Sequence, residues 1–312
     1  MRRSRLSSRQ IDEFISHHHL PNKFRELIVL HYLPLVSWLR SQHHPGEALF
    51  VGINGAQGTG KSTLAAFVRI ALEMGAGWSV AVLSIDDFYL TRAERKKLGE
   101  NVHPLLETRG VPGTHDMQLL ALYVERLKTL ESGASLALPR FDKSRDDRAD
   151  PDIWPVISGP IDLIILEGWC VGCTPQAGDD LLEPINILER EEDASGAWRR
   201  YVNAQIEGSY TDLFATLDAL IFLQAPNFDA VYRWRLEQEK KLAAVTLNRA
   251  VGIMSSKQIA HFIQHYERLT RMNLATLPAT ADVVLELDEH HDCVRSRYAT
   301  HRKRHDSRTT SP

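Results

Sequence analysis

The sequence predicts an α/β fold of three layers, with a mostly parallel five-stranded core sheet between two layers of helices. Three observations carry this. Five short apolar runs, at about 48–53, 79–85, 161–166, 219–223 and 281–287, are bounded by polar turns and read as buried strands. Segments with helical spacing separate them, and that alternation builds a parallel sheet covered on both faces. Between the first run and the helix-like run Thr63–Glu73 stands Gly55-Ala56-Gln57-Gly58-Thr59-Gly60-Lys61-Ser62. Strand, glycine-rich loop and helix in that order are the context of a Walker A motif, so the fold expected is of the P-loop nucleoside triphosphate hydrolase kind.

Bulk composition narrows the class. The 312 residues carry 43% hydrophobic and 25% charged side chains and a formal charge of -3, which reads as a soluble globular protein and argues against nucleic acid as a partner. No apolar run reaches transmembrane length, so no membrane role is expected. The basic start Met1–Arg5 leads into a polar stretch without signal-peptide character, and a cytoplasmic enzyme is the expectation. Three cysteines make no disulfide framework, and Cys170-x-x-Cys173 lacks a second pair or Cys-His cluster to complete a metal site.

Along the chain, Phe24, Leu27, Ile28, Leu30, Leu35, Trp38 and Leu39 recur at helical spacing. Residues 1–46 are therefore expected to form a helical N-terminal extension packed on the core. Residues 47–290 form the catalytic domain, with acceptor-binding and lid insertions, and 291–312 a flexible basic tail. In the glycine-rich loop, successive backbone N–H groups turn inward around a phosphate and the new helix points its positive end there. Gly55 to Thr63 are the nucleotide-binding candidates, Lys61 reaching the outer phosphates and Ser62 ligating Mg²⁺.

The second strand ends in Asp86-Asp87-Phe88-Tyr89, where open α/β sheets place their ligands. Either carboxylate could accept a hydroxyl proton or hold a magnesium-bound water, against the plainer reading of a helix cap. Tyr89 joins them as a candidate acceptor contact. The polar, turn-rich segment 91–115, with Thr108-Arg109-Gly110-Val111-Pro112-Gly113-Thr114, has too little apolar periodicity for a core element and is expected to be an acceptor-binding loop. Asp116 caps the helix after it. Arg140 and Lys143 follow a short extended piece, positions suited to an anionic acceptor, whereas the mixed-charge run 144–152 reads as a solvated face. Glu167 ends the third apolar run, the place of a Walker B acid, and is a candidate for magnesium through water or for orienting the nucleophile. Residues 172–200 form a long connection that could flank the acceptor pocket. One helix is expected over 197–216. Past Pro226, Phe228–Leu242 carries Arg233 and Arg235, which lie two apart and cannot share a helix face.

There is no Asn/Thr-Lys-x-Asp element for guanine and no convincing sensor or signature sequence of a mechanical ATPase. The ordered segments Gly52–Ser62, Leu83–Tyr89, Thr108–Asp116, Leu138–Ser144, Leu166–Trp169 and Trp234–Glu239 resemble P-loop D-glycerate 3-kinases. These relate to the uridine kinase, phosphoribulokinase and pantothenate kinase group. The resemblance spans about 48–290. It implies ATP- and Mg²⁺-dependent phosphorylation of the glycerate 3-hydroxyl, with Asp86 at the general-base position and Lys61, Glu167 and Arg235 as its catalytic companions. Ser62, Asp87 and Glu167 become the magnesium candidates. Arg109, Arg140 and Lys143 become candidates for the acceptor carboxylate and the travelling phosphoryl group, with Arg235 the first and Arg233 the second lid arginine. The partner implied is a small hydroxylated acid. A uridine- or pantothenate-like kinase, or a non-catalytic ATP-binding regulatory protein, are the alternatives.

Overall fold

A computed structural model of the chain describes residues 6–245 and 254–299; the first five residues and the tail from 300 lie outside the described residues. The chain opens with α1 (Ser8–His17), α2 (Phe24–Leu27) and, after a π-helical turn, α3 (Leu33–Gln42). A capping box starts α1, with Gln10 N–H donating to Ser7 Oγ and Ser7 N–H to Gln10 Oε1. Ile11, Phe14, Leu35 and Leu39 are buried with Phe67 and Val68 in one apolar cluster. Phe14 meets the Phe67 ring edge-on at 5.2 Å.

Phe67 belongs to α4 (Lys61–Ala76), which leaves the glycine-rich loop after β1 (Leu49–Gly55). β2 (Val80–Ser84) follows, then α5 (Arg92–Asn101) and α6 (Met117–Lys128). Two small antiparallel ribbons come next: β3 (Ser135–Ala137) pairs with β6 (Val156–Ser158), and inside it β4 (Phe141–Asp142) pairs with β5 (Asp147–Arg148). After β7 (Leu163–Gly168) come α7 (Ile187–Glu191), α8 (Ala197–Gln205) and α9 (Thr211–Phe214). β8 (Ala219–Gln224), α10 (Phe228–Val245), α11 (Ser256–Thr280), β9 (Val283–Leu287) and β10 (Cys293–Tyr298) complete the order.

The central sheet runs β10-β9-β8-β1-β7-β2, parallel except for β10. β1 and β7 are buried along their whole length, as expected for strands covered on both faces. Carboxylates tie the strands at their amino ends. Asp218 accepts from Phe50 N–H at 2.8 Å, Asp162 from Ser79 N–H at 2.7 Å and Asp282 from Leu220 N–H at 2.8 Å. These bonds satisfy backbone donors where the ladder begins. The carboxyl ends are left for ligands.

Three expectations change. Among the described residues the sheet has six strands, because residues 293–298 of the expected flexible tail form an antiparallel edge strand on β9. Paired on one side only, β10 keeps Val294 exposed and carries Arg295 and Arg297, so it lacks the apolar run of a buried strand. The turn-rich segment 91–115 contains α5, started by a Thr91–Glu94 capping box, and it buries Leu105, Leu106 and Val111 against Leu188 and Trp198. The single helix over 197–216 is broken: Gly208 leaves helical geometry at φ -88°, ψ -118° inside a π turn, and Tyr210 is fully buried after it.

Candidate active site

The nucleotide loop follows from its residue types. Gly58 and Gly60 sit at φ +84° and +86°, the left-handed region that other residues enter only with strain. A Cβ at Gly58 would stand 2.7 Å from Trp234 Cβ, so α10 packs directly on the loop. Thr59 Oγ closes the turn by donating to Ala56 O at 2.8 Å. Ser62, in the first turn of α4, donates to Glu167 Oε1 at 2.9 Å. Glu167 is 6% exposed, and its other oxygen, Oε2, is buried with no hydrogen-bond partner among the described residues. An unpartnered buried carboxylate oxygen is costly unless another group arrives to meet it.

Beside this loop, a 3-10 turn (Ile85–Phe88) at the end of β2 presents the acid pair. Asp86 accepts from Tyr89 Oη at 2.9 Å and from Lys143 Nζ at 2.7 Å. Burial works to raise its pKa. The attraction of Lys143, with Lys61 and His115 behind it, outweighs burial and holds the carboxyl at about 2, so Asp86 is ionised at neutral pH. Asp87 accepts from Arg140 Nη1 at 3.0 Å and from Phe141 N–H at 3.2 Å. Here burial prevails over those partners and its pKa is raised. The β4–β5 hairpin thus delivers Arg140 and Lys143 onto the pair, one cation to each acid.

The loop 108–116, expected to meet the acceptor, wraps the other side. Thr114 is fully buried, taking Gly110 N–H at 3.1 Å and donating to Val111 O at 2.7 Å. Trp169, just past β7, donates its indole N–H to Gly110 O at 2.9 Å. Arg109 pairs with Asp146, and Arg148 donates to Asp116 at 3.2 Å. Asp146, Asp147 and Arg148 come from the run read as a solvated face. That reading holds at the ends of the run, where Ser144, Arg145, Asp150 and Asp152 are exposed, and is corrected in its middle: the hairpin folds residues 146–149 back onto the loop, and no short-range pattern distinguishes them from exposed charge.

His115 and Tyr210 join the candidate site, although the sequence did not single them out. Tyr210 accepts from Gly113 N–H at 2.9 Å and lies 2.7 Å from His115 Nδ1. The His115 ring stacks on Tyr89 at 4.6 Å. Burial pushes the His115 pKa down to about 4 despite the nearby Asp86 charge, so the imidazole is neutral. Its only sequence signal is its place beside the Asp116 cap.

The two arginines of α10 separate as their spacing requires. Arg235 is 15% exposed and bonds Glu239 Oε2 at 2.7 Å; the other Glu239 oxygen takes Met254 N–H at 2.8 Å. Arg233 is 47% exposed and pairs with Glu289 at 3.0 Å, beside Trp234, whose indole N–H bonds Glu289 O. The structure therefore brings together the glycine-rich loop, Glu167, Asp86, Asp87, Tyr89, Arg140 and Lys143, with Arg109 one ring away across Phe141. Cys170 and Cys173 are free and buried, and burial raises both thiols. Among the described residues no cluster of three or more His, Cys, Asp or Glu could hold a metal by itself, and no helix is long and apolar enough to cross a membrane.

No family model matches the chain. A protein of Schizosaccharomyces pombe named "Uncharacterized kinase mug58" is 34% identical over 241 residues, 74% of this chain and 83% of that protein. The chloroplastic D-glycerate 3-kinase of Arabidopsis thaliana is 33% identical over 285 residues, 83% of this chain. The chain belongs to the P-loop kinase family that includes D-glycerate 3-kinase. The match spans 57% of the plant protein's length. The solved structure of D-glycerate 3-kinase from Cryptococcus neoformans superposes with a TM-score of 0.68 at 27% identity, covering 86% of this chain and 96% of that one. As a member of this family the chain is an ATP-dependent small-molecule kinase, a phosphotransferase with an alcohol acceptor.

Proposed function

We propose that this kinase phosphorylates D-glycerate at its 3-hydroxyl, giving 3-phosphoglycerate and ADP. The observation that carries the reading is the acceptor side itself: an ionised Asp86 with Lys143 and Arg140 on the acid pair and Arg109 close by. Each of these cations is paired with an acid in the chain alone, Lys143 with Asp86, Arg140 with Asp87 and Arg109 with Asp146, and a small hydroxy acid fits the reading by drawing one of them to its carboxylate while Asp86 faces its hydroxyl. Arginine suits the substrate carboxylate because its fork meets both oxygens.

In this reading Gly55 to Thr63 hold the triphosphate, with Lys61 on the outer phosphates. Asp86 takes the proton of the 3-hydroxyl as that oxygen bonds to the γ-phosphorus. The bond from the γ-phosphorus to the β–γ bridging oxygen breaks, and ADP leaves. A carboxylate held near pKa 2 is a weak base. The transfer tolerates this, because its loose transition state asks mainly for placement and charge neutralisation. Lys61, Lys143 and Arg235 supply positive charge around the moving group. Ser62 Oγ and Glu167 suit a magnesium ion, which the unpartnered Oε2 favours and which takes few protein ligands when phosphates share it. When bound it would neutralise the outer phosphates. Asp87, committed to Arg140 and Phe141 N–H, is suited to a water-mediated part in that site.

The test is ADP formation with Mg-ATP over D-glycerate, L-glycerate, uridine, pantothenate and ribulose 5-phosphate, with Asp86→Asn alongside. Turnover of D-glycerate alone is expected, lost in the variant while ATP still binds, with phosphorus on the 3-oxygen by NMR. Turnover of another acceptor only would overturn the substrate. Full activity of the variant would overturn the role of Asp86.

A further inference from the structure

Arg95 is 2% exposed, yet it touches neither member of the acid pair. Its Nε donates to Leu90 O at 3.2 Å, Nη1 to Glu107 O at 2.7 Å and Nη2 to Asp146 O at 2.8 Å. Nη2 also meets Asp146 Oδ2 at 3.0 Å. The other carboxylate oxygen, Oδ1, pairs with Arg109 Nη1. Both guanidinium groups lie over the Phe141 ring, at 5.9 Å for Arg95 and 5.6 Å for Arg109. That ring packs edge-on against Tyr89, the residue that bonds Asp86. Arg95 is thus an anchor with all its nitrogens on protein oxygens, whereas Arg109 engages by Nη1 alone among the described residues and keeps 30% exposure.

We propose that Asp146 is a positioning residue for acceptor binding: braced by Arg95, it sets the angle at which the Arg109 guanidinium receives the acceptor's anionic group. The Phe141 ring lies 5.6 Å below the guanidinium carbon, and the carboxylate fixes which way the group is turned above it. Asp146 reaches this position from a left-handed backbone, φ 55°, a region that Asp and Asn tolerate better than most residues. Asp146→Asn therefore keeps the loop and the shape of the side chain while removing its charge. Arg95 retains three carbonyl partners in that variant. The inference rests on the glycerate reading only in giving Arg109 an anion to bind.

Two measurements test it. The first needs no acceptor: side-chain ¹⁵N NMR of the full chain, comparing wild type with Asp146→Asn. Rotation of the Arg109 guanidinium is expected to be slow in the wild type and fast in the variant, with melting temperature little changed. Unchanged rotation would overturn the holding role. The second uses whichever acceptor the wild type phosphorylates, so the wild-type assay answers for glycerate separately. Asp146→Asn should raise the acceptor KM about tenfold, the worth of one charge-assisted hydrogen bond, with the KM for ATP unchanged. In an Arg109→Met background it should add nothing further. An unchanged KM, or effects that multiply in the double variant, would overturn positioning through Arg109. A falling KM would overturn it too, by making Asp146 a competitor for the acceptor's place.

Discussion

Alanine at position 58 would test how closely α10 is packed on the nucleotide loop. Its Cβ would stand 2.7 Å from Trp234 Cβ. Trp234 is 2% exposed and its indole is tied to Glu289 O at 3.0 Å, so the ring cannot swing aside. Two costs combine. The left-handed backbone, φ +84°, costs an L-residue about 1–2 kcal/mol. Forcing an extra methyl group into a filled space costs about 1–3 kcal/mol. Gly60 separates them, since it has a similar φ, +86°, and nothing within 4 Å of a Cβ. Gly60→Ala should therefore carry the backbone cost alone, and Gly58→Ala should fall below it by about 1–3 kcal/mol. In a chain of this size that is a melting difference of roughly 1.5–5 °C, read by calorimetry without nucleotide. Gly58→Ala should also lower kcat more than Gly60→Ala at saturating ATP, because the displaced Trp234 precedes Arg235. Equal melting temperatures for the two variants would refute the packing argument.

Arg235→Met should lower kcat by about 10³-fold if that side chain neutralises the moving phosphoryl group, whereas Arg233→Met should stay within a few-fold of wild type. Steady-state kinetics at saturating substrates decide it, and the reverse order would exchange their roles. Acid should weaken the fold through its buried imidazoles. The His115 pKa is lowered from 6.5 to about 4, so as pH falls the unfolded chain takes up that proton first. Stability is then fullest above pH 6.5 and is lost toward pH 4, by up to about 3 kcal/mol for His115. His265, pushed to about 4 by burial, acts in the same sense. His115→Phe keeps a ring against Tyr89 and should remove about half of the loss due to these two groups in urea unfolding across that window. An unchanged pH slope would show that His115 does not titrate as its burial requires.

The nucleotide half of the site was legible in the chain because its chemistry is local. A strand, a glycine-rich turn and a helix N-terminus are consecutive, so eight residues from Gly55 to Ser62 carry both the geometry and its purpose. Asp86 and Glu167 were legible for a related reason: each ends an apolar run, and the end of a buried parallel strand is where side chains reach a ligand. Alternating strands and helices likewise sufficed for the sheet, except at β10, where one-sided pairing leaves no apolar run to read.

The side of the candidate site built by the hairpin and the loop 108–116 was decided by tertiary structure. Arg140 and Lys143 were visible as cations, but which acid each would meet depended on a hairpin that returns 53 and 57 residues later. Asp146 sits in a run that looks like solvated charge until the hairpin closes it on Arg95 and Arg109. Tyr210 reaches His115 across 95 residues, through a helix broken at Gly208. Short-range sequence encodes backbone conformation and the sidedness of burial, both set by neighbours a few residues away. Which charge neutralises which is settled by distance in space and by lost solvent, and those exist only once the chain has folded.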